Sequence, residues 1–139
     1  MLKPAKIQNY LHQFAIHRIM MYYCRMYSKE LLKGTLEAII LQVLSQHGKM
    51  YGYELSQKVK EASEGKIYLK DGSLYPALHK MTKDGLLTFE EVNVGKRVRK
   101  YYTLTGEGEK QKETLLDELR DFMGTLNHIV FGNAKPATS

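Results

Sequence analysis

The chain has 139 residues, of which 43% are hydrophobic and 26% charged, with a formal net charge of +6 and one cysteine, Cys24. That suits one globular domain with an appendage and excludes an internal disulfide framework. No long uncharged apolar run occurs, so no transmembrane helix is expected. Residues 7–23 are interrupted by His12, Gln13, His17 and Arg18 and are not followed by a small-residue cleavage site, so no signal peptide is read. A cytoplasmic location is the expectation.

The charge is unevenly spread. Residues 1–28 carry +4, residues 29–65 carry 0, residues 66–102 carry +4 and residues 103–139 carry −2. The global pI near 9.3 therefore owes much to the N-terminal segment and is weak evidence for a nucleic-acid partner. The local signal is the middle segment.

In chain order, residues 30–47, "ELLKGTLEAIILQVLSQH", read as a helix. Leu36, Ile39, Ile40, Val43 and Leu44 give its apolar stripe. Gly34 weakens the first turn, so the start can equally fall at Thr35 to Ala38, and Gly48 marks the stop. A second helix is expected from about Tyr51 to Ser63, with Tyr51, Leu55, Val59 and Ala62 on one face. Tyr51 and Tyr53 are read as capping and packing that helix. "KIYLK", residues 66–70, alternates and is read as a short strand.

A third helix, about 72–84, follows in "DGSLYPALHKM", ended by Gly85. Its apolar spacing at Leu74, Ala77, Leu78 and Met81 leaves Ser73, Tyr75, His79 and Lys80 on other faces. With Ser73 as N-cap, Pro76 falls at N3, where its missing N–H is an orphan donor anyway.

The period then changes to two. "LLTFEEVNV" and "VRKYYTL" are β-prone runs joined through Gly95, a hairpin with basic residues at its tip. By alternation Val98, Lys100 and Tyr102 share one face and Arg97, Arg99 and Tyr101 the other, so one of the two tyrosines belongs to the core. The last element is a long helix from about Thr105 to Val130. Leu115, Leu119, Phe122, Leu126 and Ile129 repeat at a 4-3-4-3 spacing, the signature of a coiled-coil-like seam. The tail after it, "GNAKPATS", reads as disordered.

The expected fold is therefore mainly α with a small β-hairpin: a winged helix-turn-helix followed by a long C-terminal dimerisation helix. The expected organisation is an N-terminal extension over 1–28, a winged-helix domain over 29–104, a dimerisation helix over 105–131 and a tail over 132–139. In helix-turn-helix proteins the later helix enters the major groove of DNA. That placement leaves Ser73, Tyr75, His79 and Lys80 facing DNA. It puts the cluster Lys96, Arg97, Arg99 and Lys100 on the wing, where phosphates lie.

Four pieces together, "LLKGTLEAIIL", "YGYEL", "GSLYPAL" and "RKYYTLT", resemble the PadR family of transcriptional regulators, over about residues 30–131. The resemblance implies a homodimeric bacterial repressor with a winged-helix reader. Carried over by position, it implies a recognition helix holding Ser73, Tyr75, His79 and Lys80 and a wing holding Lys96 to Lys100. The single C-terminal helix resembles the short subgroup, and it implies a dimer interface at Leu115, Leu119, Phe122, Leu126 and Ile129. It also implies a small aromatic or cationic effector of unknown identity. The chain has no tryptophan, so Tyr and Phe, including Phe122 and Phe131, are the available stacking groups.

The chain departs from that pattern at its front. Members of the short subgroup start close to "SKELLKG", whereas here 25 residues precede Met26, which stands just before that phrase. The segment is either an N-terminal helix that joins the dimer or the result of an upstream start codon chosen in error.

No paired carboxylates, nucleophile–base motif or phosphate-cradling glycine loop is present, so no enzyme is expected. Cys24 reads as a buried or idle thiol. His79 has no Cys, Asp or Glu at ligand spacing and His12 and His17 lack a third candidate, so neither a metal nor a cofactor is expected. The two classes left are a sequence-specific regulator of double-stranded DNA and a winged-helix module used only for protein contacts.

Overall fold

The computed structural model describes residues 26–132 and, before them, Ala15 alone. The expectations for the N-terminal extension, His12, His17, Cys24 and residues 133–139 lie outside the described residues.

The first expected helix is two. Helix α1, Lys29–Leu32, is capped by Ser28, whose hydroxyl accepts from the Leu31 N–H at 3.3 Å. The chain turns at Gly34, and α2 runs over Leu36–His47. Its buried residues are Ala38, Ile40, Leu41, Val43 and Leu44, so the apolar stripe is wider than periodicity indicated. A strand, β1, Met50–Tyr51, follows directly and leads into α3, Gly52–Ala62. The Glu54 carboxylate reaches back to accept from the Tyr51 N–H at 3.2 Å, satisfying an orphan donor at the helix start. Gly52, Leu55, Ser56 and Val59 are buried along α3, whereas Ala62, expected on that face, is exposed.

Residues 66–70 form no strand, contrary to expectation. The Ser63 hydroxyl accepts from Ile67 N–H at 2.9 Å, the Tyr27 N–H donates to Lys66 C=O at 3.1 Å, and Ser56 Oγ donates to Leu69 C=O at 3.4 Å. These bonds satisfy part of the segment's backbone without a neighbouring strand. Leu69, 3% exposed, is the core anchor of the connection.

Helix α4 spans Asp71–Lys83 with Lys70 at the N-cap position and no side-chain cap. Ser73 is therefore not the cap, and Pro76 stands inside the helix, in its second turn. There Pro76 removes the bond that its N–H would make to the Gly72 carbonyl and brings its ring against that group. Gly72 has no side chain and is exposed. Leu74, Leu78 and Met81, each 1% exposed or less, hold the helix in the core, which offsets the lost bond.

Strands β2, Leu87–Val94, and β3, Arg97–Leu104, form the hairpin. Gly95 has φ +62° at the first position of the two-residue turn, the conformation that a primed hairpin turn requires and that glycine adopts freely. The sheet order is β1-β3-β2, antiparallel throughout, with Met50 opposite Tyr102 and Tyr51 opposite Tyr101. Helix α5, Gly106–Phe131, starts at Thr105, whose hydroxyl accepts from Gly108 N–H at 3.0 Å and donates to Gly85 C=O at 2.6 Å.

One core joins these elements: Ile40, Leu41 and Leu44 of α2, Leu55 and Val59 of α3, Leu74, Leu78 and Met81 of α4, and Met50, Leu87 and Tyr102 of the sheet. This is a winged helix-turn-helix, with α3 and α4 as its two helices and the β2–β3 hairpin as its wing. Among the described residues no helix is long and apolar enough to cross a membrane.

Candidate nucleic-acid interface

Helix α4 divides cleanly by burial. Its apolar side chains face the core, and Gly72, Tyr75, Pro76, His79, Lys80 and Lys83 are exposed, with Ser73 half-buried at the margin. Lys83 was missed by the sequence reading. It follows His79 by four positions and Pro76 by seven, the helical spacing that would have found it.

Two of the four expected side chains on this helix are engaged within the protein. Lys80 donates to Asp84 at 2.9 Å, and that bond, with the charges of Asp84 and Glu37, holds its ammonium above the usual lysine pKa. Its head is thereby drawn toward the C-terminal end of α4. Tyr75, 46% exposed, lays its ring over the start of α3. A Cβ at Gly52 would sit 2.8 Å from Tyr75 Cε1 and 2.9 Å from its hydroxyl, so only glycine fits beneath it. Burial, and secondarily the neighbouring Tyr75, push the Tyr102 phenol above its ordinary pKa. Tyr75 therefore touches α3 and stands close to β3 while part of its ring stays in solvent.

The pleat splits the three cations of β3 between two faces, while Lys96 sits in the turn. On one face, Arg97 and Arg99 lie opposite Val94 and Val92, with Tyr101 opposite Glu90. On the other, Lys100 lies opposite Glu91 and Tyr102 opposite Phe89. Tyr102, 7% exposed, is the core tyrosine of the pair. The Lys100 ammonium stands 4.5 Å from the Phe89 ring centre, and the Arg99 guanidinium 4.4 Å from that of Tyr51. Arg97 and Lys96, at the tip, are exposed and make no ion pair among the described residues.

The Tyr51 contact links the wing to the helix-turn-helix. Tyr51 meets Tyr101 edge-on at 5.4 Å and stacks with Tyr53 at 6.3 Å, while Lys49 pairs with Glu90 across the same face. Tyr53 is 61% exposed, so its packing on the helix is limited to the stack with Tyr51. A continuous run of contacts thus goes from Tyr75 to Gly52, Tyr51 and Arg99. It connects α4, α3 and the wing, and it presents cations and aromatic edges to solvent. Stacking contacts of this kind hold an arginine at about 0.5–2 kcal/mol.

The expected seam on α5 is graded. Leu115 packs against the core and Leu119 is half-buried, but Phe122, Leu126 and Ile129 are 58%, 43% and 72% exposed. Met123, Val130 and Phe131, also exposed, widen the row. No group of three His, Cys, Asp or Glu among the described residues is arranged to hold a metal ion.

Residues 40–114 match the model of the transcriptional regulator PadR-like family. A transcriptional regulator from Clostridium thermocellum superposes with a TM-score of 0.68 at 26% identity, covering 73% of this chain and 99% of that one. A PadR-like transcriptional regulator from Bacillus cereus does so with a TM-score of 0.63 at 34% identity, covering 76% and 100%. Bacillus subtilis PadR, solved in complex with operator DNA, gives a TM-score of 0.54 at 31% identity over 59% of this chain and 45% of that one. The negative transcriptional regulator PadR of that organism is 32% identical over 69 residues, which is 38% of its length. The chain thus spans less than half of the Bacillus subtilis protein and essentially all of the other two. With the family model covering more than half of a chain that folds as a winged helix, this protein belongs to the PadR-like family of transcriptional regulators.

Proposed function

We propose that the protein is a sequence-specific repressor that binds double-stranded DNA as a homodimer at a palindromic operator and is released by a small-molecule effector. One observation carries this reading. Helix α4 buries Leu74, Leu78 and Met81 and turns outward a face of His79, Lys80, Lys83 and the part-exposed Tyr75, beside a wing tipped by Lys96 and Arg97. A protein-contact module would instead expose an apolar patch there.

In this reading Ser73, Tyr75 and His79 meet base edges or the adjoining backbone, and Lys83 joins them. Lys80, tied to Asp84, contributes mainly long-range charge. Lys96, Arg97, Arg99 and Lys100 meet phosphates, which position the protein without reading sequence. The operator complex of the Bacillus subtilis relative supports the DNA partner, and that relative's description as a negative regulator supports repression. The exposed row on α5 supports the division into a reading head and a dimerisation helix, because monomers rarely leave so long an apolar row in water. Phe122 and Phe131, exposed on that row, are aromatic groups available to stack on an effector.

The test is a retardation assay with the DNA upstream of the protein's own gene and a random duplex of equal length. Selective retardation of the first is expected. Equal retardation of both would remove sequence specificity from the reading, and retardation of neither would favour a protein-contact role.

A further inference from the structure

Lys112 is 7% exposed, among the most buried residues of α5, and its burial has no place in DNA reading. Its ammonium donates to Ser45 Oγ of α2 at 2.9 Å and pairs with Glu109 and, at 3.1 Å, with Glu113. Ser45 in turn donates to the Glu109 carboxylate at 3.2 Å. The hydrogen bonds to Glu109 and Glu113, more than any other effect, hold its ammonium above the usual lysine pKa.

One helical turn earlier α5 is held a second time. Gly108 approaches the β2 entrance so closely that a Cβ there would lie 2.1 Å from the Leu86 carbonyl oxygen. Thr105 adds hydrogen bonds to the Gly85 and Leu86 carbonyls. Two fixed points on a rod define its direction. From Lys112 to Phe131 the helix extends about 28 Å further, at about 1.5 Å per residue. A pivot of about 10° at the Thr105–Gly108 contact, about 34 Å along the helix from Phe131, would move that far end by about 6 Å, more than one base-pair step of about 3.4 Å.

We propose that Lys112, through Ser45, is a positioning residue that sets the angle of α5 on the reading head and thereby the half-site spacing accepted by the dimer. The inference rests on the homodimer reading above. The Thr105–Gly108 contact acts as the hinge, and the Lys112–Ser45 contact fixes the angle about it. Lys112 touches neither base nor phosphate.

The experiment uses the full chain and a panel of duplexes. Each carries two inverted copies of a half-site, obtained by selection from random DNA with the wild-type protein, separated by spacers that differ by one base pair. A duplex with one half-site is the control. Wild type is expected to prefer one spacing. Lys112→Met, which keeps the apolar stem and loses the ammonium, should reduce the ratio between best and next-best spacing at least fivefold. Binding to the single half-site and the salt dependence should stay as in wild type. Lys112→Arg, which keeps the charge and donors, should restore the preference in part. Ser45→Ala, at a half-buried surface position, repeats the test should Lys112→Met fail to fold. A spacing profile unchanged in both Lys112→Met and Ser45→Ala overturns the proposal while leaving the dimer intact. A wild-type chain that scatters light as a monomer, or binds all spacings alike, overturns the proposal together with the dimer reading.

Discussion

Arg97→Ala offers the sharpest test of the wing. Arg97 leaves the Gly95 turn opposite Val94, exposed and without an ion partner among the described residues, so its charge is available to a phosphate. Each phosphate neutralised on B-DNA contributes about −0.9 to the slope of log affinity against log salt. A dimer loses two such contacts, so the substitution should flatten the slope by about 1.8. Between about 50 and about 200 mM salt the wild type should then lose about twelvefold more affinity than the variant. Operator and random duplexes should weaken alike, because a phosphate contact carries no sequence information. Fluorescence anisotropy of labelled duplexes across four or more salt concentrations measures both quantities. Lys100→Ala should change the slope less, since Glu91 opposite Lys100 already offsets part of its charge. An unaltered slope for Arg97→Ala would remove the wing from the DNA backbone. A loss confined to operator DNA would refute the assignment of the wing to phosphate contact.

Three further outcomes are expected. Gly52→Ala places a methyl group where the Tyr75 ring now lies, and because that ring is the end of a flexible, part-exposed side chain it should swing aside. Thermal unfolding should then change little, while discrimination between operator and random DNA falls by about 1–3 kcal/mol, if Tyr75 touches a base. Leu119→Ala combined with Leu126→Ala should convert dimers to monomers in light scattering, since a buried leucine truncated to alanine costs about 2–5 kcal/mol. The Lys112 cluster should also show in the pH dependence of stability. Its hydrogen bonds to Glu109 and Glu113 hold the Lys112 pKa above 10.5, and the bond from Lys112 holds the Glu109 pKa below 4.5. A depressed carboxylate stabilises the fold above its unfolded pKa and loses that contribution as pH falls through the folded value. A raised lysine stabilises below its unfolded pKa and loses its contribution only as pH rises through the folded value. The stability difference between wild type and Lys112→Met should therefore be flat from about pH 5 to about pH 10 and shrink in acid, as read by denaturant titration at several pH values.

Long periodic segments were legible in the sequence for a simple reason. A helix or hairpin that buries one face must repeat its apolar residues at 3.6 or 2 positions, so the buried stripe of α2, the apolar face of α4 and the paired runs of β2 and β3 are all written along the chain. Gly95 marked the wing turn because a positive φ is cheap for glycine. Elements too short to have a period were not legible. Two residues, Met50 and Tyr51, form a strand only because β3 lies alongside, whereas "KIYLK" alternates and forms none because nothing pairs with it. The start of α4 was misjudged because Ser73 offers a local cap, but packing of Leu74 and Leu78 draws the helix back to Asp71 and leaves Pro76 inside it.

The candidate site divides in the same way. Sequence alone determined which residue types stand on the outer face of α4 and on the hairpin, since that follows from spacing. What each of them touches was decided by tertiary contacts: Lys80 turned to Asp84, Tyr75 laid over Gly52, Arg99 held by Tyr51, and Lys100 set over Phe89. Lys112 is the extreme instance. A lysine between glutamates on a long helix reads as a solvated charge, and only the approach of α2, with Ser45 at its surface, makes it a buried one. Periodicity specifies which way a side chain points from its own element. The partner it meets comes from another part of the chain, and that depends on how the elements pack.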